Sequence, residues 1–202
     1  MVEDALIHVV DDDPALRRAL AFLFESVGWR VQAHESAEAF LSARRPDAAG
    51  CIVLDIRMPA MSGLELQHVM HARGVALPIV FLTGHADVSL AVQAMKLGAC
   101  DFIEKPFRDQ VLLDAVAKAV RTCKEHYAEE QARAAAAAAL GRLSPREREV
   151  ARLVAQGLPN KSVARALDIS ERTVHVHRQH VMEKVGVSSA AELARLMIRA
   201  DP

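Results

Sequence analysis

The sequence has few aromatic residues and lacks any long apolar run. Aromatic residues make up 4% of the 202 residues and hydrophobic residues 51%, so buried cores must be built mainly from aliphatic side chains. No stretch reaches the roughly 18 consecutive apolar residues of a membrane span. The chain starts with M-V-E-D, which is acidic where a secretion signal would be basic. We therefore expect a cytoplasmic protein with no membrane partner.

Cysteine is also scarce. Cys51, Cys100 and Cys123 lie far apart and show no metal-ligand spacing. An odd, scattered set of cysteines is typical of reduced thiols in a cytosolic protein, because a disulfide framework needs paired cysteines and an oxidising compartment. The sequence thus gives no sign of a disulfide-stabilised fold.

Charge is distributed unevenly, although the net charge is only −1. Residues 1–121 contain 12 Lys and Arg against 16 Asp and Glu, whereas residues 143–202 contain 10 against 7. The acidic part suggests a cation as partner and the basic part a polyanion, but ordinary variation also produces differences of this size. The motifs have to distinguish between different partners for the two parts and ordinary variation in charge.

The first 120 residues alternate short apolar runs with longer amphipathic ones. The predicted strands are Leu6–Val10, Trp29–His34, Cys51–Leu54, Ile79–Leu82 and Asp101–Ile103. The predicted helices are Pro14–Val27, Ser36–Ala43, Gly63–Arg73, Val88–Leu97 and a long one that begins near Asp109. Strands that are apolar throughout indicate a parallel sheet covered on both faces. The pattern predicts an α/β doubly wound (βα)5 domain.

The last predicted helix of this domain continues without Gly or Pro to about Leu140. It includes six consecutive alanines, Ala134–Ala139, and alanine is the best helix former. We expect a long helical linker that ends at Gly141, with an alanine-rich end that has little to bury. The predicted domains are 1–120, a linker 121–141, and 142–202.

The C-terminal 60 residues contain helix signals and no strand signals. Two sequences of the capping-box type, Ser144–Glu147 and Ser189–Glu192, open the first and last helices. Asn160 and Ser170 are the predicted N-caps of the two helices between them, which run to Leu167 and about Lys184. Four short helices predict a small all-α bundle.

Polar residues follow four predicted strands of the first domain. Asp11 and Asp12 follow the first strand, Asp55 the third and Thr83 the fourth, and Lys105 comes after the last. Ligands of open parallel sheets bind outside the carboxyl ends of the strands, so these side chains should share one crevice. Crowded carboxylates either hold a proton or bind a cation, and oxygen ligands of this kind suit Mg²⁺.

This set of side chains can accept a phosphoryl group. Asp55 would attack as the nucleophile while Mg²⁺ and Lys105 neutralise charge on the transferring oxygens. An acidic triplet alone is more often a solvated turn. The acidic triplet, Asp55, Thr83 and Lys105, in this order and each after a predicted strand, form a much more specific signal.

Four motifs carry a resemblance to a known family. They are V-V-D-D-D-P, I-V-L-D-I-R-M-P-A-M-S-G, F-L-T-G-H and A-C-D-F-I-E-K-P-F. In this order they resemble the receiver domain of two-component response regulators, in particular the FixJ subfamily, and the resemblance covers residues 4–120. It implies that Asp55 is the phosphoacceptor and that a phosphohistidine of a sensor histidine kinase is the donor.

The resemblance also implies a metal site. Asp12, Asp55 and the main-chain carbonyl of Arg57 would bind Mg²⁺ directly, and Asp11 would act mainly through water. Thr83 would bind phosphoryl oxygens together with the lysine that follows the last strand.

Two further expectations come from the resemblance. The Lys105–Pro106 peptide bond is expected to be cis. Phe102 stands where relatives carry a switching aromatic residue. Phenylalanine lacks the hydroxyl of tyrosine, so only the packing part of the Thr83–Phe102 switch carries over.

The basic C-terminal part contains a helix with one apolar stripe. At about 100° per residue, Val181 and Val185 each lie within roughly 20° of Val174, and the three predict the buried side. Residues on the opposite side, including His175 and Gln179, can present hydrogen-bond donors to base edges in the major groove. Metal binding by the three histidines of this helix is disfavoured because they do not share a face.

Together with L-S-P-R-E-R-E-V and the closing helix, this segment resembles the LuxR-type helix-turn-helix over about residues 140–200. The resemblance implies that Lys161–Leu167 is the positioning helix and Glu171–Lys184 the recognition helix. The base-facing candidates are Arg172, His175, Val176 and Gln179. The phosphate-facing candidates are Lys161, Thr173, Arg178 and Lys184. Relatives often have lysine or glutamate where this chain has His175, so their preferred DNA sequence does not carry over.

The resemblances predict a response regulator. Phosphorylation of Asp55 would drive formation of a homodimer and sequence-specific binding to double-stranded DNA, with RNA polymerase as a further partner. The dimer surface is expected on the helix Val88–Leu97 and the strand Asp101–Ile103. The last helix, Ser189–Ala200, is the family's usual dimer surface on DNA, although its apolar stripe could equally pack against its own domain. Enzymatic activity would be limited to self-phosphorylation and slow autodephosphorylation.

Two alternatives belong to other classes. An aspartate-dependent phosphatase uses an Asp-x-Asp-x-Thr/Val pattern at the first strand, but residue 15 here is alanine and Asp55 would have no task. A receiver with a protein- or RNA-binding output is the second, and the helix-turn-helix pattern argues against it.

Overall fold

The computed structural model describes residues 5–43, 49–84 and 88–200. The chain divides into two compact units, Met1–Tyr127 and Ala128–Pro202. None of the helices in these described ranges is both long and apolar enough to span a membrane. His85, the last residue of the F-L-T-G-H motif, lies outside the described residues.

The first unit alternates strands and helices in the predicted order. Its strands are β1 (Leu6–Val10), β2 (Arg30–His34), β3 (Gly50–Asp55), β4 (Ile79–Thr83) and β5 (Asp101–Glu104). Its helices are α1 (Pro14–Ser26), α2 (Ala37–Ala43), α3 (Gly63–Ala72), α4 (Val88–Lys96) and the first part of α5 (Asp109–Gly141).

The five strands form one parallel sheet in the order β2-β1-β3-β4-β5. The chain adds β2 on one side of β1 and then returns to add β3 on the other side, so the order reverses between β1 and β3. In open α/β sheets this reversal opens a crevice at the carboxyl ends of the two strands. The predicted doubly wound fold is confirmed, and the aspartates after β1 and at the end of β3 lie at this crevice.

Helices cover both faces of the sheet. On one face Val53 packs in a core that includes Phe24 and Leu112, and on the other its neighbour Leu54 packs in a core that includes Phe40. All six residues of β3 are buried. A strand buried on both faces has no polar side to show, which explains why this segment is apolar without alternation.

A pair of buried histidines, which the sequence pattern did not reveal, joins β1 to β2. His8 Nδ1 lies 3.1 Å from His34 Nε2, and Phe40 of α2 stands nearly perpendicular to both rings. Burial lowers the pKa of His34, and a hydrogen bond with the backbone of Ala39 only partly opposes this. Burial thus favours the neutral imidazole of His34, which packs with His8 and Phe40 in the core.

Helix α5 is continuous, as predicted, and the division between the two compact units falls within it, after Tyr127. Cys123 is buried in the first unit, where its Sγ accepts a hydrogen bond from the Gly50 amide at 3.5 Å. In the second unit Ala136 is 2% exposed and Ala139 packs against the core. Four of the six alanines, Ala134, Ala135, Ala137 and Ala138, are exposed, so the expectation that the tract has little to bury holds for most of it. Residues 121–141 are thus divided between the two units.

The second unit is the predicted helical bundle. Its other helices are α6 (Pro145–Ala155), α7 (Asn160–Leu167), α8 (Glu171–Val185) and α9 (Ala190–Ala200). They enclose an aliphatic core that includes Val150, Val163 and Leu193. Ser144 forms the predicted capping box with Glu147 at the start of α6.

Two predicted caps differ from the structure. Pro159, not Asn160, is the N-cap of α7, since its backbone already has the extended conformation of that position. Asn160 is the first helical residue, and its side chain accepts a hydrogen bond from Arg178. At α9, Ser189 accepts from the Glu192 amide as predicted, but the Glu192 carboxylate accepts from the amide and hydroxyl of Ser188. The second capping box is therefore only half formed.

Candidate functional site

The crevice between β1 and β3 contains the predicted carboxylate cluster. Asp11, Asp12 and Asp55 each offer an oxygen, and these oxygens lie within 4.8 Å of one another. Asp11 and Asp55 are buried, whereas Asp12 is exposed. The turn after β1 and the end of β3 thus bring together side chains that are 44 residues apart in the sequence.

Lys105 reaches this cluster from the loop after β5. Its Nζ lies 2.9 Å from Asp11 Oδ2 and 3.0 Å from Asp55 Oδ1. Its backbone amide donates to the carbonyl of Thr83 at 2.7 Å, which fixes the loop against the end of β4. The Lys105–Pro106 peptide bond is cis, as predicted.

The charges in the cluster strongly influence one another. Burial raises the pKa of Asp55, Lys105 opposes this effect, and the charges of Asp11 and Asp12 add to it. Burial would lower the pKa of Lys105, but its hydrogen bonds to Asp11 and Asp55 outweigh burial and raise it. Lys105 therefore stays protonated. Three carboxylates facing one ammonium leave an excess of negative charge, which fits a divalent cation with oxygen ligands.

The three residues of the acidic triplet have different roles. Asp13 Oδ1 accepts a hydrogen bond from the Ala15 amide at 2.8 Å and caps α1, so it does not point into the cluster. Arg17, which the sequence analysis did not single out, donates to the carbonyl of Asp11 at 2.7 Å. Helix α1 thus holds the turn that carries the acidic residues.

The remaining predicted residues of this site have different surroundings. Thr83 is buried as the last residue of β4, and Phe102 is half-buried against the core on one face of the sheet. Arg57 lines a groove of about 550 Å³ together with Asp12. At Gly63 a Cβ atom would lie 2.4 Å from the carbonyl oxygen of Asp55, so only glycine allows α3 to begin this close to the site.

Helix α8 shows the predicted division into two sides. Val174, Val181 and Val185 are buried in the core of the second unit. All four base-facing candidates are exposed on this helix: Arg172, His175, Val176 and Gln179. This exposed side is available to a macromolecular partner.

The phosphate-facing candidates have different surroundings. Lys161 is exposed at the start of α7. The Thr173 hydroxyl bonds to the capping Ser170 hydroxyl at 2.8 Å, and Arg178 donates to Asn160 at 3.3 Å. Lys184 pairs with Glu147 of α6 at 2.7 Å, so it has a structural role within its own unit. A phosphate contact by Lys184 stays a prediction.

Glu147 has a second role that the capping motif did not reveal. It is 4% exposed and accepts hydrogen bonds from both Lys184 and the Ser144 amide. The hydrogen bond from Lys184, followed by those from Ser144, lowers its pKa to about 2. This carboxylate thus links the start of α6 to the end of α8.

We expect Glu147→Ala to speed amide hydrogen exchange in α6 and α8 at neutral pH by about tenfold or more, because the carboxylate's bond from the Ser144 amide and its ion pair with Lys184 are both lost. Glu149→Ala is the matched control, since it breaks an exposed ion pair with Arg146 on the same helix. The contribution of Glu147 should be complete above pH about 4.5 and disappear as the pH falls towards about 2. Equal exchange in the two variants would contradict a structural role for Glu147.

Family models match both units. A model described as "Response regulator receiver domain" matches residues 7–117, and one described as "Bacterial regulatory proteins, luxR family" matches residues 141–197. The two matches cover the segments that carry the carboxylate cluster and the exposed side of α8.

Relatives and solved structures match nearly the whole chain. The transcriptional regulatory protein FixJ of Azorhizobium caulinodans is 48% identical over 200 residues, which cover 99% of this chain and 95% of the relative. FixJ of Rhizobium meliloti is 45% identical and covers 96% of each chain. The structure of response regulator StyR matches with a TM-score of 0.90 at 41% identity, covering 98% of this chain and 100% of that one. Full-length FixJ from B. japonicum matches with a TM-score of 0.61 at 45% identity over 97% of each chain.

Proposed function

Because the chain belongs to the response regulators that join a receiver domain to a LuxR-type DNA-binding domain and regulate transcription, we propose that Asp55 is its phosphoacceptor. The observation that carries this proposal is the contact of Asp55 with Lys105 at 3.0 Å inside the carboxylate cluster. Among the aspartates of the cluster, Asp55 combines burial, a raised pKa and a position at the end of a central strand. The phosphatase and the protein- or RNA-binding alternatives have no support in the family matches.

The proposed reaction is phosphoryl transfer from a phosphohistidine of a sensor histidine kinase. An Asp55 carboxylate oxygen forms a bond to phosphorus while the phosphorus–nitrogen bond breaks, and the electron pair stays on the imidazole. The Lys105 ammonium and the Thr83 hydroxyl donate hydrogen bonds to the phosphoryl oxygens. Mg²⁺ held by Asp12, Asp55 and the carbonyl of Arg57, with Asp11 acting through water, would neutralise charge on those oxygens. Slow hydrolysis of the acyl phosphate then restores the carboxylate.

We expect acetyl phosphate with Mg²⁺ to phosphorylate the wild-type chain and not Asp55→Asn, because the amide keeps the shape of the carboxylate but lacks its nucleophilic charge. Intact-mass measurement would detect one added phosphoryl group. Equal labelling of both proteins would move the phosphoacceptor elsewhere.

The metal requirement has a matched control in the neighbouring residue. Asp12→Ala should slow phosphorylation and raise the Mg²⁺ concentration it needs, because a metal ligand is lost. Asp13→Ala removes the same charge one residue away but only the cap of α1, so it should keep the wild-type Mg²⁺ dependence at a stability cost of about 1 kcal/mol. Full-rate phosphorylation in excess EDTA would contradict the proposed metal site.

Phosphorylation is proposed to act through Thr83 and Phe102 on the surface of α4 and β5. When Thr83 turns towards the new phosphoryl oxygens, Phe102 can pack inward beside the core that it already contacts. The exposed apolar side chains of Val92 and Met95 on α4 support this surface as a homodimer interface. Dimerisation raises the effective concentration of two DNA-binding domains on a two-half-site operator.

We expect phosphorylated wild type to shift towards dimer in size-exclusion chromatography with light scattering, and Asp55→Asn to stay unchanged. Met95→Glu should prevent the shift, because it places a charge in the proposed interface. Phe22→Glu is the control, since Phe22 is an exposed apolar residue on α1, outside this surface. A phosphorylated protein that remains monomeric at tens of micromolar and yet binds DNA more tightly would favour release of an inhibited DNA-binding domain instead.

The proposed DNA contacts follow the exposed side of α8. Arg172, His175, Val176 and Gln179 would face base edges in the major groove. Lys161, Thr173, Arg178 and Lys184 would lie near phosphates. RNA polymerase is proposed as the further partner at target promoters, in the bacterial cytoplasm where both partners occur.

We expect His175→Ala and Gln179→Ala each to weaken binding to the cognate site by about 1–3 kcal/mol, because each would lose base contacts. His180→Ala is the control, since His180 is exposed on the same helix but is not a base-facing candidate. Lys161→Ala should weaken cognate and random DNA alike and reduce the salt dependence. Gel shifts at several salt concentrations would measure these effects, and an unchanged sequence preference in Gln179→Ala would contradict its assignment.

A further inference from the structure

The buried side chain of Gln67 on α3 has one satisfied end and one unsatisfied end. Its Nε2 donates to the carbonyl oxygens of Ala94 and Leu97 at the end of α4, each at 3.2 Å. Its Oε1 is buried and accepts no hydrogen bond from any residue in the described ranges. Gln67 as a whole is 3% exposed. An unpaired acceptor in such a position costs free energy, so a partner for Oε1 would be stabilising.

The orientation of this amide is determined by α4. Rotating the amide by 180° would place Oε1 against the two carbonyl oxygens of Ala94 and Leu97, where neither side can donate a proton. The bonds from Nε2 therefore hold the orientation in which Oε1 needs an external donor.

Gln67 also lines a groove of about 420 Å³ at the surface of the first unit. Most side chains of its wall are apolar, among them Met70, Val75, Leu77 and Leu97. The described residues that line the groove include no lysine, arginine, aspartate or glutamate. Besides Gln67, the polar side chains of the described wall are His71 and Thr122. Without a lysine, arginine or carboxylate in this wall, the groove favours a neutral apolar molecule, which would bury its surface.

We propose that this groove binds a small neutral molecule with an apolar body and one O–H or N–H donor, which bonds to Gln67 Oε1. The volume is within the range of protein ligand sites, which are mostly apolar with a few polar groups that fix orientation. A water molecule suits this position poorly, because a buried water needs about three polar partners and the wall is mainly apolar.

The site lies away from the carboxylate cluster. Its wall includes Ile79 at the start of β4 and Cys100 just before β5, whereas Asp55 and Thr83 lie at the carboxyl ends of their strands. The ligand would polarise an amide whose other end holds the last turn of α4. A ligand bound in this groove would thus stabilise the position of α4 independently of phosphorylation.

Phenol and toluene are suitable probes, because they are similar in size and differ in the donor. With the full chain labelled with ¹⁵N, we expect phenol to shift the side-chain amide resonances of Gln67 and the backbone resonance of Gly98 in a saturable manner. Toluene should bind about threefold to tenfold more weakly, the usual difference for one hydrogen bond. The experiment is done without phosphodonor, so its result does not depend on the role of Asp55.

A variant that fills the groove separates specific binding from weak surface association. Ala76 is exposed and lines the groove, so Ala76→Trp should abolish the phenol-dependent shifts while leaving the rest of the spectrum unchanged. Ala19→Trp, on the exposed side of α1, is the control and should bind phenol as the wild type does. The proposal is overturned if phenol causes no saturable shift at millimolar concentration, if toluene binds equally well, or if Ala76→Trp retains binding.

Discussion

The ammonium of Lys105 lies between two buried carboxylates, and the first domain is organised around this contact. Asp11 and Asp55 belong to neighbouring strands whose carboxyl ends meet, and without a cation their charges would repel each other. The lysine comes from the loop after β5, so the contact requires all the strands between β1 and β5 to be in register. The same requirement brings Thr83 to the cluster, because its carbonyl accepts from the Lys105 amide. The site is therefore a consequence of the complete sheet.

A buried carboxylate with a lysine partner also stabilises the second domain. Glu147 caps α6 and pairs with Lys184 of α8, the helix that carries the proposed base contacts. In the receiver domain Lys105 contacts a carboxylate that is proposed to react, whereas in the second domain Lys184 connects two helices. A lysine on the helix that carries the proposed base contacts is therefore not automatically a DNA contact, since the charge of Lys184 is already partly neutralised by Glu147.

Both proposed signals, phosphorylation and a bound neutral molecule, would act on helix α4. Its exposed side carries Val92 and Met95, its end is held by Gln67, and the strand that follows carries Phe102. A change in any of these contacts alters the free energy of the same surface. Phosphorylation and a bound neutral molecule would thus influence dimerisation through one element without sharing a binding site.

The order of strands and helices, the carboxylate cluster and the buried side of α8 could be predicted from the sequence, because each depends on local periodicity or on residues at strand ends. The end of β3 is an example: an apolar run followed by Asp55 has few other interpretations in a parallel sheet. The partners of Gln67, Glu147 and Lys184 could not be predicted, since they depend on which helix faces lie opposite each other. The boundary between the units was also decided by packing, because Cys123 and Ala139 lie on one continuous helix, yet Cys123 is buried in the first unit and Ala139 packs against the core of the second. Periodicity shows which side of a helix or strand is buried. Only the tertiary structure determines which residues of other elements that side packs against.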